Sequence, residues 1–160
     1  MRTVACAVGK RNNRIAAPLP PAGEGWGEGK SLSDNTLNRL QEYLSCHSHV
    51  LIAVLVGSRA SGQIHEGSDW DLAILVDPSL PAIARFDELQ RLQLSLAAGA
   101  GIPVEQLDLI DLSTAGLAMR EQVANHGLLL KGDNTLAWSH FLVRTWRELE
   151  EFAWEQQRAA

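Results

Sequence analysis

Two aspartates lie two residues apart at the start of a strongly apolar segment. Asp69 and Asp71 flank Trp70, and the residues that follow, 72–76, are all aliphatic. Residues two apart on a β-strand project from one face, with Cα atoms about 6.5 to 7 Å apart. Two carboxylates at that separation can jointly hold Mg²⁺, or two metal ions around a transferring phosphoryl group. The pair therefore predicts a divalent-metal site at the mouth of a buried strand, where unpaired charge would be costly.

A glycine–serine pair ends an earlier apolar run. Gly57 and Ser58 follow residues 50–56, which are rich in β-branched side chains, and ten residues separate Ser58 from Asp69. Glycine lets backbone N–H groups approach an anion closely, and a short helix beginning at Arg59 would direct its positive end to the same place. The pair therefore predicts a phosphate-binding turn, to which the Arg59 guanidinium can add charge-assisted hydrogen bonds.

The combination of Gly-Ser, a ten-residue spacer and Asp-x-Asp resembles the minimal nucleotidyltransferases of the DNA polymerase β superfamily, over roughly residues 31–135. The resemblance implies Mg²⁺ as cofactor, ATP as substrate and a third carboxylate on a neighbouring strand, which completes the metal site or accepts the proton of the attacking hydroxyl. Asp108 matches that position, and Asp111 is the alternative. Their offset of three puts them on opposite faces of a regular strand, so only one can join the pair. We favour Asp108, and a bulge in the strand would restore Asp111.

Residues around the Gly-Ser turn are expected to contact the nucleotide. They are Gly57, Ser58, Arg59 and Ser68. A salt bridge with Glu66 or Asp77 is an equally good interpretation of Arg59. His65 and Glu66 lie in the same loop and could also reach the nucleotide, although solvated loop residues are the simpler interpretation.

Short members of this superfamily resemble the MNT antitoxins of HEPN/MNT toxin–antitoxin pairs. That resemblance implies a protein adenylyltransferase that moves AMP from ATP to a tyrosine of a partner HEPN toxin and so acts as an antitoxin. An aminoglycoside-type nucleotidyltransferase is one alternative, but such enzymes normally carry an additional helical domain, for which little chain follows residue 135. A non-catalytic antitoxin that inhibits by docking is the other, and the intact Asp69, Asp71 and Asp108 argue against it.

The surrounding pattern predicts the elements that position these residues. Apolar residues recur every three or four positions in the predicted helices, whereas the predicted strands are short, apolar runs that end at Gly, Asp or Pro. The predicted helices cover 31 or 33 to 44, 83–99, 113 or 114 to 125, and 136–157, and the predicted strands cover 50–56, 69–76, 107–112 and 128–130. This order indicates an α/β or α+β fold, with a small mixed β-sheet packed with helices, a nucleotidyltransferase-like core and a long C-terminal helix.

Composition separates the first 30 residues from the rest. Residues 1–30 carry five basic and two acidic side chains, a net charge of +3. Because the net charge of the whole chain is −5, residues 31–160 carry −8. The Pro- and Gly-rich start predicts a disordered leader or a start codon assigned too far upstream, followed by one nucleotidyltransferase domain over 31–160. Because an acidic domain repels the phosphate backbone, we expect a basic protein partner and no direct nucleic acid.

The apolar runs are much shorter than the roughly 20 residues that span a bilayer, so we expect no membrane insertion and a cytoplasmic protein. Cys6 and Cys46 are too few for a disulfide framework. Cys46, His47 and His49 are interpreted as a polar surface cluster rather than a metal site. In the C-terminal helix, Trp138, Trp146 and Trp154 are eight residues apart. They fan across roughly 160° of the helix, so at least one ring is expected to stay exposed as a partner surface.

Overall fold

The computed structural model describes residues 30–65 and 67–159 of the chain, and the side chains of residues 35–65 and 67–158. The predicted leader therefore lies outside the described residues, as do the proposed capping side chains of the first helix. The elements are α1 (Lys30–Cys46), β1 (Val50–Val56), α2 (Gly57–Ser61), β2 (Trp70–Val76), α3 (Ala82–Ala100), a 3₁₀ turn (Val104–Gln106), β3 (Leu107–Asp111), α4 (Leu117–His126), β4 (Leu128–Lys131) and α5 (Leu136–Ala159).

The four strands form one mixed sheet in the order β3-β2-β1-β4. Strand β1 is antiparallel to both β2 and β4, whereas β2 and β3 are parallel. Parallel neighbours need a crossover connection, and α3 supplies it. The predicted mixed sheet with helices and a long C-terminal helix is confirmed, and the central strand β1 is buried along almost its whole length.

Helices cover both faces of the sheet. On one face, Leu40 and Leu44 of α1 and Leu92 and Leu96 of α3 pack against alternate residues of the strands. On the other face, Val123 of α4 and the half-buried aromatic residues of α5 pack against the remaining positions, among them Ala73 of β2. Side chains alternate across a strand, so Asp71 shares its face with Ala73 and lies on the α4 and α5 side.

Two predicted details of the helices are wrong. Ser113 and Thr114 do not cap α4, which begins at Leu117 after Gly116 without a side-chain cap. Instead, Ser113 N–H donates to Asp111 Oδ1 at 2.8 Å and the Thr114 hydroxyl donates to the Asp111 carbonyl, so both belong to the turn that ends β3. The short helix expected to begin at Arg59 begins at Gly57.

The loop between α1 and β1 is held by a half-buried amine. Lys131 Nζ donates to the carbonyl oxygens of Leu44 and His47, both at 2.7 Å, and each carbonyl also accepts a backbone N–H, from His47 and Val50 respectively. Burial lowers the pKa of Lys131. None of the helices in the described part of the chain combines the length and apolar character of a bilayer-spanning segment.

Candidate active site

Three carboxylates lie near the start of the parallel strands β2 and β3. Asp71 is the second residue of β2, and its Cα partner in the parallel strand β3 is Asp108. Asp69 lies two residues before Asp71, immediately ahead of the strand. Directly paired residues in a sheet project to the same face, so Asp108 joins the Asp69 and Asp71 side without any bulge. The pairing of β2 with β3 runs unbroken through five residues, which preserves the alternation that the choice of Asp108 requires.

The pKa of Asp71 is shifted by its burial and by the neighbouring carboxylates. Burial is the first cause that raises the pKa of Asp71, followed by the negative charges of Asp108 and Asp69, while Arg59 acts in the opposite direction. Burial and like charge both disfavour an ionised carboxylate. A divalent cation between the three groups would remove this repulsion, and hard oxygen ligands are the kind that Mg²⁺ prefers.

The carboxylates do not form a preassembled metal cage. Within residues 30–65 and 67–159, no group of three or more His, Cys, Asp or Glu side chains is arranged to hold one ion. The backbone places Asp71 and Asp108 in register. The donor set fits Mg²⁺, and its remaining ligands would come from water and triphosphate oxygens.

Gly57 lies directly against the carboxylate of Asp71. Val56, the residue before it, is the antiparallel partner of Asp71. Gly57 has a φ of 73°, and a Cβ atom at this position would collide with Asp71 Oδ2. Glycine is therefore required for two reasons, since it adopts the left-handed conformation without strain and leaves room for the carboxylate. The Gly-Ser turn and the aspartates predicted from sequence are thus brought into contact.

Arg59 organises the loop that carries the first aspartate. Its Nε donates to the carbonyl oxygens of Ser68 and Asp69, both at 3.0 Å, and its guanidinium lies 4.2 Å from the centre of the Trp70 ring. Burial lowers the pKa of Arg59, and Asp69 and Asp71 oppose that effect. These contacts do not include an ion pair with Asp77, so that part of the sequence interpretation is not seen. The role of Arg59 in phosphate binding stays a prediction, and Glu66 is not described.

His65 and Ser68, two further candidates in the loop, are positioned by a tight turn. The Ser68 hydroxyl accepts the His65 N–H at 2.9 Å, and Ser68 N–H donates to the His65 carbonyl at 3.0 Å. These bonds leave the hydroxyl hydrogen of Ser68 available as a donor. Glu66 is not described, so its predicted role remains untested.

A cleft of about 510 Å³ opens beside the Gly-Ser turn. Besides Val56, Gly57 and Ser58, its walls include Ser61 at the end of α2, Gln63 in the loop that follows, and Gln122 and His126 from α4. The sequence pattern did not predict Ser61, Gln63, Gln122 or His126 as site residues. No local pattern marks them, because the two α4 residues reach the turn only after the chain has crossed the sheet.

Gln122→Ala and His126→Ala are expected to raise the KM for the nucleotide about threefold to tenfold while leaving kcat within about twofold. Each removes one hydrogen-bonding group from the cleft wall, for which a net loss of about 0.5–1.5 kcal/mol is usual. Initial rates at varied nucleotide concentration measure both constants. Gln90→Ala, an exposed glutamine of α3 outside the cleft, is the control and should change neither. An unchanged KM in both cleft variants would exclude α4 from the binding site.

The fold and this edge of the sheet define a nucleotidyltransferase. The family model described as polymerase beta, nucleotidyltransferase matches residues 38–135, which include all three carboxylates and the Gly-Ser turn. The chain belongs to this family. The matched range runs from α1 to the loop after β4, and only α5 follows it.

Known relatives include a toxin–antitoxin component. The chain is 35% identical over 78 residues to the protein adenylyltransferase MntA of Shewanella oneidensis, covering 49% of this chain and 51% of that protein. The chain thus spans about half the length of the curated relative that it matches. A crystal structure of a toxin–antitoxin with AMP-PNP is similar at 26% identity and a TM-score of 0.56, covering 79% of this chain and 94% of that one. A variant of the MntA–HpeT toxin–antitoxin is also similar, at 26% identity, a TM-score of 0.58, and 77% and 94% coverage.

Proposed function

We propose that this protein is a Mg²⁺-dependent adenylyltransferase that moves AMP from ATP to a tyrosine of a HEPN-type toxin, and that it acts as the antitoxin. The observation that carries this proposal is the pairing of Asp71 with Asp108 beside the Gly57 turn. The relatives support the acceptor class, since one is a protein adenylyltransferase and the solved structures are toxin–antitoxin assemblies. We further propose that the protein works in the cytoplasm.

Each residue of the site has a distinct task in this reaction. Asp69, Asp71 and Asp108 would hold Mg²⁺, which would neutralise charge on the triphosphate and polarise the phosphoryl group that is attacked. Backbone N–H groups of Gly57 and Ser58 approach the phosphate oxygens, with the Ser58 and Ser68 hydroxyls as further donors. Arg59 holds the loop so that Asp69 faces the site.

Asp108 is also the residue placed to handle the proton. It lies on the outermost strand of the sheet and is exposed, so an acceptor from another protein can reach it. Its carboxylate takes the proton of the tyrosine hydroxyl as the oxygen attacks the α-phosphorus. The new phosphoester bond forms as the bond to pyrophosphate breaks, and pyrophosphate leaves.

A transfer assay with the purified protein and its cognate toxin tests the proposal. With Mg²⁺ and ATP labelled on the α-phosphate, label should appear on the toxin, and replacement of the acceptor tyrosine by phenylalanine should abolish it. ATP labelled on the γ-phosphate should leave no label on the toxin, because pyrophosphate is released. Label on an aminoglycoside in place of the toxin would contradict the protein acceptor, and Mg²⁺-independent inhibition without any label would contradict catalysis.

The end of α5 is the surface that we propose for the toxin. Trp138 stacks on Phe141 at 5.4 Å between ring centres and belongs to the core, whereas Trp154 is 69% exposed, as predicted for at least one of the three rings. Residues 150–158 are all exposed, so the last turns of α5 pack on no other described element. Trp146 and Phe152 of the same helix are also exposed, at 46% and 52%.

Trp154→Ala is expected to weaken toxin binding by more than about 1 kcal/mol, because aromatic anchors commonly dominate interfaces. The melting temperature should not change, since the ring supports nothing in the folded chain. Leu136→Ala is the matched control, as it removes a similarly exposed apolar side chain, 71% accessible, from the opposite end of the same helix. Titration calorimetry gives both affinities, and equal affinities for the two variants would remove this helix end from the interface.

A further inference from the structure

A second cavity lies at the end of the sheet that is remote from the carboxylates. Its volume is about 630 Å³, and it is bounded by the sheet, the start of α3, the loop after β3, and helices α4 and α5. Leu51, near the start of β1, and Leu75, near the end of β2, contribute to its apolar lining together with Leu112 and Phe141. The Asp71 carboxylate belongs to the opposite end of β2, so the two sites are separate.

The walls of this cavity are strongly basic. Arg85 of α3, Arg120 of α4 and Arg144 of α5 all line it. One carboxylate, Glu148, accepts hydrogen bonds from Arg120 Nη2 and, at 2.8 Å, from Arg144 Nε, and these bonds lower the pKa of Glu148 to about 2. Three guanidinium groups against one carboxylate leave two positive charges, in a chain whose net charge is −5.

One of these cations also has an unused donor. The Arg120 side chain is only 13% exposed, and its Nε is buried without a hydrogen-bond partner among the described residues. A buried donor without an acceptor is costly, and such groups are usually satisfied by water, an ion or a ligand. Arg120 lines the cavity, so its charge adds to a lining where positive charge is already in excess.

We propose that this cavity binds an organic anion in which a carboxylate or phosphate head group is joined to an apolar body. Guanidinium groups match the geometry of carboxylate and phosphate oxygens, and Arg120 and Arg144 bind the head group from two helices. The leucine and phenylalanine side chains take the apolar body. The volume lies within the roughly 300–1,000 Å³ of ordinary small-molecule sites. None of the three carboxylates proposed for AMP transfer lines this site.

Fluorescence titration with 8-anilinonaphthalene-1-sulfonate, an anion on an aromatic body, tests the proposal on the full-length protein. We expect saturable binding of one equivalent. Arg144→Gln should weaken it about tenfold, the loss usual for one charge-assisted hydrogen bond. Arg147→Gln is the matched control, because Arg147 and Arg144 both form an i, i+4 ion pair on α5, but only Arg144 lines the cavity. Both side chains are largely exposed, so both variants should fold.

Two further comparisons make the result decisive. N-phenyl-1-naphthylamine has the same rings without the sulfonate, and binding as tight as that of the sulfonate would overturn the anion site. Trp154→Ala should leave sulfonate binding unchanged, and loss of binding in that variant would assign the probe to the exposed end of α5 instead. Equal weakening by Arg144→Gln and Arg147→Gln would likewise overturn the proposal.

Displacement of the probe then identifies the head group. Octanoate and octyl phosphate share an apolar chain and differ in the anion, so the stronger competitor shows whether carboxylate or phosphate is preferred. Inorganic phosphate has no apolar body and should not compete at the same concentration. Displacement by inorganic phosphate as effective as that by octyl phosphate would contradict the role of the apolar lining.

Discussion

Asp71→Asn is expected to reduce AMP transfer by about 10³-fold, the upper end of the loss seen when one preorganised electrostatic group is removed from a transition state. Asp71 is half-buried and lies between the other two carboxylates, with Gly57 directly against it. The asparagine side chain keeps the shape but loses the charge that holds the metal. Transfer of label from α-labelled ATP to the toxin measures the loss.

Stability gives an independent check on the same variant. Because the folded-state pKa of Asp71 is raised above its ordinary value, its ionisation costs stability as pH rises through that ordinary value. The asparagine variant does not ionise and escapes this cost. Without metal, its melting temperature relative to the unaltered protein should therefore increase as pH rises through the ordinary aspartate pKa of about 3.9.

Mg²⁺ should make the unaltered protein more stable than the Asp71→Asn variant. Added Mg²⁺ and nucleotide should raise the melting temperature of the unaltered protein, because a ligand of the folded state stabilises it, and should have little effect on the variant. Asp87→Asn, an exposed carboxylate of α3 outside the site, is the control and should respond like the unaltered protein. Full transfer activity in the Asp71 variant, or an equal Mg²⁺ response, would contradict the proposed metal site.

Asp108→Asn and Asp111→Asn are expected to have opposite effects, although the two residues are only three positions apart. Asp108 is the register partner of Asp71, so its loss should abolish transfer to a similar extent, about 10³-fold, and leave the melting temperature near that of the unaltered protein. Asp111 pairs with Ile74 and lies on the other face of β3. Its substitution should leave the transfer rate within about twofold.

The stability of the two variants should show the reverse pattern. Asp111 Oδ1 accepts the Ser113 N–H in the turn after β3, and a neutral amide in its place should cost roughly 1 kcal/mol of unfolding free energy. Denaturant unfolding measures this cost. If Asp111→Asn abolishes transfer and Asp108→Asn does not, the third carboxylate is Asp111.

Some elements of this site follow from local sequence because their causes are local. The alternation of side chains along a strand places Asp69 and Asp71 on one face whatever surrounds them. The apolar run ending at Gly57 predicts a buried strand because its side chains have no polar face to expose. Element bounds shifted by one to three residues, except at α4, where Ser113 and Thr114 bind Asp111 rather than the helix. Ser and Thr are common helix caps, so the sequence favoured a cap. In the structure both residues instead form the turn with Asp111.

The partners of the local motifs depend on the tertiary structure. The register of two parallel strands, set by how α3 packs across the sheet, decides that Asp108 lies beside Asp71. The wall formed by Gln122 and His126 exists only because α4 crosses the sheet to the Gly57 turn. The basic cavity joins Arg85, Arg120 and Arg144 from three helices. Periodicity and turn chemistry act over a few residues and are readable from sequence, whereas these juxtapositions arise from packing between distant segments.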